Sequence, residues 1–276
     1  MKGAILQLNV GDVPADNLAV TRQMLSEAVS AGAEFVLTPE VTNCVSTSRA
    51  HQQDVLQHEA EDMTLAALRA DAAAAGIWLL IGSLGLKTED ADGRFANRSF
   101  LIDPSGKIAA WYDKIHMFDV QISAEETWRE SDGYRPGEQA VLAQTDLAKI
   151  GMSICYDVRF SHLYRALAQS GADILTVPAA FSPVTGAAHW HALLRARAIE
   201  SGCFVIAPAQ TGTHASAAHK TRDTYGHSLV VDPWGVVLLD AGTEPGVYSF
   251  TLDMEHAQKA RQRVPSLANA RSFIGP

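Results

Sequence analysis

The chain has few cysteines, no long apolar run and no excess of basic residues. Its 276 residues include 3 cysteines and no CxxC pair, which argues against a disulfide-built scaffold and fits a reducing cytoplasm. No apolar run approaches the roughly 20 residues that span a bilayer. Gln7, Asn9 and Asp12 interrupt the N-terminal apolar stretch too early for a signal peptide. A net charge of −9 argues against nucleic acid or an anionic membrane surface as a partner.

The sequence does contain a regular alternation of strand-like and helical segments. Hydrophobic residues make up 47% and charged residues 19% of the chain, which is typical of a globular protein with a large core. The apolar spacing predicts helices over residues 18–31, 55–75, 161–170 and 189–201, with Asp16 or Asn17 capping the first. Short apolar runs between them predict strands, so the fold class is α/β.

Four sequence segments recur in the same order in the two halves of the chain. The matched pairs are 4–9 with 150–155, 31–39 with 170–178, 77–81 with 203–207, and 99–106 with 228–235. They predict two similar sheet-plus-helix halves that pack sheet against sheet in a four-layer αββα sandwich. Because neither half covers both faces of its sheet alone, we expect one domain over 1–276. We also expect a long surface loop at 211–223 and a C-terminal tail from about residue 261.

Three reactive side chains follow strand-like runs. Glu40 ends the run 35–39, Lys114 follows the hairpin 103–111, and Cys155 ends the run 149–154. Ligands gather at the carboxyl ends of strands in layered α/β proteins, so these positions are candidates for one site. The helix predicted beyond Cys155 would favour its thiolate. Taken singly, each has an ordinary alternative: a solvated acid, a surface lysine and a small buried hydrophobe.

The contexts of these residues closely resemble the nitrilase superfamily of carbon–nitrogen hydrolases. The segments that carry the resemblance are TPE at 38–40, YDKIH at 112–116 and GMSICYDVRF at 151–160. The resemblance implies the αββα sandwich and a triad of Glu40 as base, Lys114 as cation and Cys155 as nucleophile. Glu130 matches a second family glutamate that is hydrogen-bonded to the triad. The backbone N–H of Tyr156, the residue after Cys155, would help to stabilise the oxyanion, and neither a metal nor an organic cofactor is implied.

Further segments resemble the Nit branch, which includes amidases of deaminated glutathione and of α-ketoglutaramate. They are residues 181–190 and 194–200, together with Ala209-Gln210 and 225–235. Both substrates carry carboxylates, so we expect Arg159 to bind one carboxylate group. Tyr156, Phe181 and Thr185 are the other candidate substrate-binding residues, with Phe181 and Thr185 lining the pocket by resemblance. Deaminated glutathione is the preferred substrate and α-ketoglutaramate the alternative. The basic residues His219, Lys220 and Arg222 are candidates for the far carboxylate of the longer molecule.

Other classes of function fit the sequence less well. A true nitrilase is expected to have Cys-Trp-Glu where this chain has Cys155-Tyr156-Asp157, and an N-acyltransferase would need a membrane segment or a lipid acceptor. A catalytically silent scaffold on the same fold is opposed by the intact candidate triad. The i, i+2 spacing of His189 and His191 does not form a pair of metal ligands on one helical face. The resemblance also implies a homodimer or higher homo-oligomer.

Overall fold

Two six-stranded mixed sheets form the centre of the protein, as seen in a computed structural model that describes residues 1–122, 127–216 and 220–275. The strands, numbered along the chain, are β1 (Lys2–Gln7), β2 (Phe35–Leu37), β3 (Trp78–Leu86), β4 (Ala96–Ile102), β5 (Ile108–Asp113), β6 (Asp119–Gln121), β7 (Thr127–Arg129), β8 (Val141–Gln144), β9 (Lys149–Met152), β10 (Ile174–Thr176), β11 (Phe204–Ala207), β12 (Thr211–His214), β13 (Arg222–Tyr225), β14 (Leu229–Val231), β15 (Val237–Asp240) and β16 (Gly246–Thr251). β6 pairs with β7 and β12 with β13 as separate antiparallel ribbons.

The two sheets have the same arrangement, which confirms the predicted repeat. The first has the order β16-β1-β2-β3-β4-β5 and the second β8-β9-β10-β11-β14-β15. Each has three parallel strands in the middle, one antiparallel strand at the near edge and two at the far edge. In both halves the parallel strands are buried except at Lys2 and Lys149, as expected when both faces of a sheet are covered.

Four helices cover the outer faces of the two sheets. α1 (Pro14–Ser30) and α3 (Met63–Ala75) pack on the first sheet, and α4 (Ser161–Gln169) and α5 (Pro183–Ser201) pack on the second. The described residues also form α2 (Arg49–Val55) and α6 (Glu255–Arg263). On β1, Ala4 and Leu6 belong to the cluster beneath α1 and α3, whereas Ile5 faces the second sheet. This alternation is the period of two expected of strands. The four-layer αββα sandwich predicted from the sequence is therefore confirmed. Among the described residues, no helix combines the length and apolarity that crossing a membrane requires.

Two predicted helix starts and the extent of one helix were wrong. The helix predicted over 189–201 begins earlier, at Pro183. The first helix begins at Pro14, which occupies its first turn, and Val13 precedes it in place of Asp16 or Asn17. The range 55–75 is divided, because α2 ends at Val55 and α3 starts only at Met63. Asp62 caps α3 by accepting a 2.7 Å hydrogen bond from the Leu65 amide, so the local N-terminus replaces the continuous helix.

The predicted surface loop differs in part from expectation. β12 and β13 pair across the two ends of 211–223, and His214 within them is buried. α6 ends at Arg263, close to the start of about 261 predicted for the C-terminal tail. Arg261 packs on the same chain, with its guanidinium beside the Ala172 carbonyl and 3.0 Å from the sulfur of Cys203. The chain beyond the helix ends with Phe273 and Ile274, which are 88% and 99% exposed.

Candidate active site

Glu40 leaves the first sheet at the end of β2 and lies buried between the two halves. The residue after it, Val41, has a left-handed φ of 49°, and its amide donates to Ser83 Oγ at 2.8 Å. The Glu40 side chain accepts a 2.8 Å hydrogen bond on Oε2 from the backbone N–H of Ala180. Its carbonyl accepts from Gln210 Nε2 at 3.0 Å. The second half of the chain thus fixes both the backbone and the carboxylate of Glu40.

Lys114 follows β5 and joins two carboxylates. Its Nζ lies 2.8 Å from Glu40 Oε1 and 2.8 Å from each oxygen of Glu130. Asn97 Nδ2 donates to the same pair, at 2.9 Å from Glu40 and 3.3 Å from Glu130. The amide of Phe118 donates to Glu130 Oε2 at 2.6 Å. Lys114 is only 2% exposed, so this ammonium depends on the two carboxylates to offset the loss of water.

Cys155 begins a short 3₁₀ helix, Cys155–Arg159, where β9 gives way to α4. Its φ is 47°, a strained value for a residue with a side chain, and its amide donates to the Pro178 carbonyl at 2.9 Å. The preceding amide, that of Ile154, donates to Asp157 Oδ2 at 2.8 Å. Strained backbone held by surrounding bonds is common where a reactive side chain must be aimed.

A buried aspartate connects the lysine segment to the cysteine turn. Asp157 accepts from the Tyr112 hydroxyl at 2.7 Å, and from the backbone and ring nitrogens of His116 at 3.0 and 2.7 Å. Tyr112 and His116 lie two residues either side of Lys114, and Asp157 lies two residues beyond Cys155. The network therefore fixes the distance between the ammonium and the thiol.

The charges of the three central groups follow from burial and from one another. Burial works to raise the pKa of Glu40, but the Lys114 ammonium and its hydrogen bond outweigh it and leave that pKa lowered. Burial also works to lower the pKa of Lys114, yet Glu130 and Glu40 hold it well above its usual value. Burial and the Glu40 charge raise the pKa of the Cys155 thiol well above its usual value. Burial beside a carboxylate thus outweighs the helix that follows Cys155, and the group needs Glu40 as a base, as the sequence predicts.

These side chains open onto a cavity of about 300 Å³. Its walls include the predicted residues Glu40, Lys114, Glu130, Cys155, Phe181 and Thr185, as well as Cys44, Arg49, Trp128, Arg129, Tyr134 and Arg222. The Thr185 hydroxyl oxygen is buried and has no hydrogen-bond partner among the described residues. The volume is at the lower end of the range typical of small-molecule sites. Mixed aromatic and cationic walls suit a ligand that is both elongated and anionic.

Two predicted residues lie beside this cavity instead of on its lining. The Arg159 guanidinium is 5.7 Å from the ring of Tyr156 and 5.4 Å from the ring of Phe181, and its Nη1 is 3.2 Å from His189 Nδ1. Tyr156 packs edge-on against Phe118. Phe181, which does line the cavity, is thus the contact between Arg159 and the site.

The basic segment 219–222 is divided by the structure. Arg222 lines the cavity, where its Nη2 donates to the Ala180 carbonyl at 2.7 Å and its guanidinium lies 5.0 Å from the Trp128 ring. Lys220 is exposed and outside the lining. His219 lies outside the described residues.

Sequence reasoning missed Asn97, Asp157 and Arg49. Asn97 is one of three consecutive polar residues in β4, beside Arg98 and Ser99, and only the structure shows that its side chain is buried at 2% exposure. Asp157 lies in the cysteine motif, 151–160, but the sequence does not show the hydrogen bonds that link it to the lysine segment. Arg49 reaches the cavity from α2, an element that the helix prediction did not include.

The family model for carbon-nitrogen hydrolases matches residues 3–262. The chain belongs to the carbon–nitrogen hydrolase family, and it is an enzyme that hydrolyses amides. This confirms the predicted resemblance.

Three similar proteins show which members of the family this chain resembles. The chain is 37% identical over 269 residues to the deaminated glutathione amidase of Yersinia enterocolitica, a match that covers 97% of this chain and 92% of the relative. The NitFhit protein of C. elegans superposes with a TM-score of 0.90 at 32% identity, covering 98% of this chain and 65% of that longer one. An amidase from Nesterenkonia sp. AN1, solved with acrylamide added to its active-site cysteine, has a TM-score of 0.77 at 26% identity and 96% and 98% coverage.

Proposed function

We propose that this chain cleaves an amide that carries carboxylates, through a thioester on Cys155, and that deaminated glutathione is its preferred substrate. The observation that carries the proposal is the buried Glu40–Lys114–Glu130 cluster, which opens with Cys155 onto one cavity. The similarity to the Yersinia enterocolitica amidase supports the choice of substrate.

The first chemical step makes use of the opposed pKa shifts. Cys155 rests as a thiol beside an ionised Glu40, so the carboxylate removes the proton as sulfur attacks the amide carbon. The carbonyl π electrons move onto oxygen, where the Lys114 ammonium and the backbone N–H of Tyr156 receive the charge. A single oxyanion donor of this kind contributes about 3 kcal/mol to transition-state stabilisation. The raised pKa keeps Lys114 protonated throughout.

The second half of the cycle returns the proton and then repeats the transfer with water. Protonated Glu40 gives its proton to the departing nitrogen as the C–N bond breaks, which leaves a thioester on Cys155 and a free amine. Glu40 then takes a proton from water, whose oxygen attacks the thioester carbon. The C–S bond breaks, the proton passes to sulfur, and the carboxylate product leaves. Glu130 and Asn97 hold Lys114 and Glu40 in place during both steps.

The cavity walls support a substrate with negative charge at both ends. Arg222 has one nitrogen bonded to a backbone carbonyl, and its guanidinium is held near Trp128, so the group is oriented before a ligand arrives. Arg159 lies on the other side of Phe181 and is the candidate for the α-keto acid end. The buried Thr185 hydroxyl, which has no hydrogen-bond partner among the described residues, is available to bind a ligand in the cavity. α-Ketoglutaramate is the second candidate, because it has the same keto acid end but lacks the far carboxylate.

The test compares turnover of the two substrates and of a neutral amide by the parent protein and by two cysteine variants. We expect Cys155→Ala to keep its melting temperature and to lose all measurable turnover. Cys44→Ala is the matched control, because Cys44 is a buried thiol on the same cavity with a pKa raised by burial to about 12. We expect this control to retain activity within about fivefold, since the mechanism gives Cys44 no role. An active Cys155→Ala protein would refute the mechanism.

The relative rates decide the substrate. We expect a higher kcat/KM for deaminated glutathione than for α-ketoglutaramate, and the lowest value for the neutral amide. Comparable kcat/KM for the two acids would remove the reason to prefer the longer one. We further propose that residues 1–276 work as one domain, in the cytoplasm, without a cofactor, and as a homodimer or higher homo-oligomer.

A further inference from the structure

Two histidines and an aspartate meet on the surface of the second half, outside the lining of the catalytic cavity. His191 Nε2 lies 2.9 Å from one carboxylate oxygen of Asp240, and His227 Nδ1 lies 2.8 Å from the other. One ligand atom from each of the three residues falls within 4.8 Å of the other two. None of them lines the cavity that contains Cys155.

The three side chains come from separate parts of the chain, and backbone hydrogen bonds fix the positions of two of them. His191 projects from α5, His227 precedes β14, and Asp240 ends β15. His227 has a left-handed φ of 54°, its amide donates to the Gly242 carbonyl at 2.7 Å, and its carbonyl accepts from Trp190 Nε1 at 2.8 Å. The amide of Gly242 also donates to Asp240 Oδ1 at 3.0 Å. The backbone thus orients both the imidazole and the carboxylate independently of their mutual contact.

The donor set is that of a late first-row transition metal. Two imidazole nitrogens and one carboxylate oxygen suit Zn²⁺, Co²⁺ or Ni²⁺, with bond lengths of about 2.0–2.2 Å for zinc. Hard cations such as Ca²⁺ prefer six or more oxygens, which this cluster does not offer. The side chains of His191 and Asp240 are 36% and 35% exposed, so the remaining coordination positions can be filled by water. Metal ligands are usually oriented by a further hydrogen bond, and for Asp240 this is the bond from the Gly242 amide to its Oδ1.

We propose that His191, His227 and Asp240 form a surface site for Zn²⁺ or a similar divalent transition metal. Binding replaces the two His–Asp hydrogen bonds with three metal–ligand bonds and links the middle of α5 to the end of β15. Because α5 carries Thr185 in its first turn, the metal also anchors the helix that forms one wall of the cavity. The sequence analysis set aside a metal although it also considered His214, His219 and His227, because Asp240 and His227 join His191 only through the fold.

The test measures metal binding directly, by equilibrium dialysis with Zn²⁺ and by the visible absorption of added Co²⁺. We expect about one Zn²⁺ per chain at micromolar free metal, with affinity reduced at least tenfold in His191→Gln and in Asp240→Asn. His256→Gln is the matched control, because His256 forms another exposed pair with Asp253 but has no second histidine beside it. The measurements use the Cys155→Ala background, so that the active-site thiol does not contribute a ligand.

A thermal measurement keeps the proposal testable if a variant folds poorly. At a hundredfold excess of Zn²⁺ over its dissociation constant, we expect the melting temperature to rise by about 5 °C in the Cys155→Ala protein and in the His256→Gln control. The same addition should raise the melting temperature of His191→Gln and of Asp240→Asn by about half as much or less, because their affinity is at least tenfold lower. Absence of Zn²⁺ binding at 100-fold molar excess, or equal binding by His191→Gln and by the control, would overturn the site and leave a hydrogen-bonded cluster only.

Discussion

At the scale of single residues, Glu40 keeps a charge in surroundings that oppose it. The side chain is 4% exposed, and its lowered pKa depends on Lys114 and Arg222. A carboxylate with a lowered pKa stays ionised across the neutral range, so it can act as a base without any change of pH. Folding places the charges of Glu40, Lys114 and Glu130 in one cluster, where each charge is stabilised by the opposite charge beside it.

Replacement of Glu40 by glutamine should remove the base and leave the shape. We expect kcat to fall by about two or more orders of magnitude, the usual contribution of a positioned base. In the parent, kcat/KM should hold across neutral pH and fall only below about pH 4.5, because Glu40 protonates below the ordinary carboxyl pKa. A pH–rate profile and a melting curve check this. Normal specific activity with a large loss of stability would show that the role of Glu40 is structural.

Replacement of Lys114 by methionine separates catalysis from folding less well than Glu40→Gln does. The substitution leaves Glu40 and Glu130 buried without their shared counter-charge, so we expect it to lower both activity and stability.

Arg222 and Lys220 provide a matched pair of charge removals two residues apart. Arg222→Gln should raise KM for deaminated glutathione about tenfold to a hundredfold, because a charge-assisted hydrogen bond contributes about 1.5–3 kcal/mol. Lys220→Gln should change it little, since that side chain is exposed and outside the cavity. The effect of Arg222→Gln should shrink as salt is raised. Equal losses for the two variants, or an equal loss on a neutral amide, would contradict this assignment.

The sequence indicated Glu40, Lys114 and Cys155 because they follow strands, and its resemblance to the nitrilase superfamily indicated Glu130, Phe181 and Thr185. Glu40, Lys114, Glu130 and Cys155 come together as expected, and Phe181 and Thr185 line the same cavity. The side chain of Arg159 lies outside it. Neighbours along the chain cannot reveal which side of Phe181 a long side chain takes, because that depends on His189 from another helix.

At the scale of elements, the β12–β13 ribbon is held by a buried histidine. His214 Nδ1 lies 2.7 Å from the Val10 carbonyl and Nε2 lies 2.7 Å from Thr224 Oγ1. Burial lowers the pKa of His214 to about 4. Between that value and its ordinary pKa of about 6.5, the unfolded chain binds a proton that the folded chain does not.

This linkage predicts a loss of stability in mild acid. The contribution of His214 is fully present above about pH 6.5 and is lost as the pH falls towards 4, with a total of about 3 kcal/mol. We expect His214→Gln to lower stability at pH 7 and to flatten the decline between pH 6.5 and 4, as measured by denaturant unfolding. Identical slopes in parent and variant would show that other groups cause the acid loss.

Helices and strands were predictable where the apolar periodicity is strong, and less predictable where a local helix cap interrupts a helical pattern. The repeated strands appear in both sheets because their apolar runs are short and fully buried. The split between α2 and α3 depends on one carboxylate, that of Asp62, bonding to the Leu65 amide. The β12–β13 ribbon was read as a loop because half of its residues face solvent and are polar, which hides a two-stranded pattern.

At the scale of the whole molecule, we expect self-association. Phe273 and Ile274 end the described chain almost fully exposed, and Trp234, Val236 and Leu238 are also exposed apolar residues. Sedimentation should give a dimer or larger species at micromolar concentration. A chain ending at residue 270 should keep its fold, since the deleted residues are exposed, and should associate more weakly. A monomeric parent at these concentrations would refute the expectation.

The division of the site between the two halves also sets an order of events during synthesis. Glu40 and Lys114 leave the ribosome before Cys155, and the Gln210 side chain that fixes Glu40 leaves later still. A domain generally folds as a unit, and this site needs residues from both halves of the chain. A nascent chain that has reached Cys155 therefore has the thiol without its fixed base, because Glu40 is not anchored until the chain has passed residue 210. Amide hydrolysis can begin only after that residue has emerged.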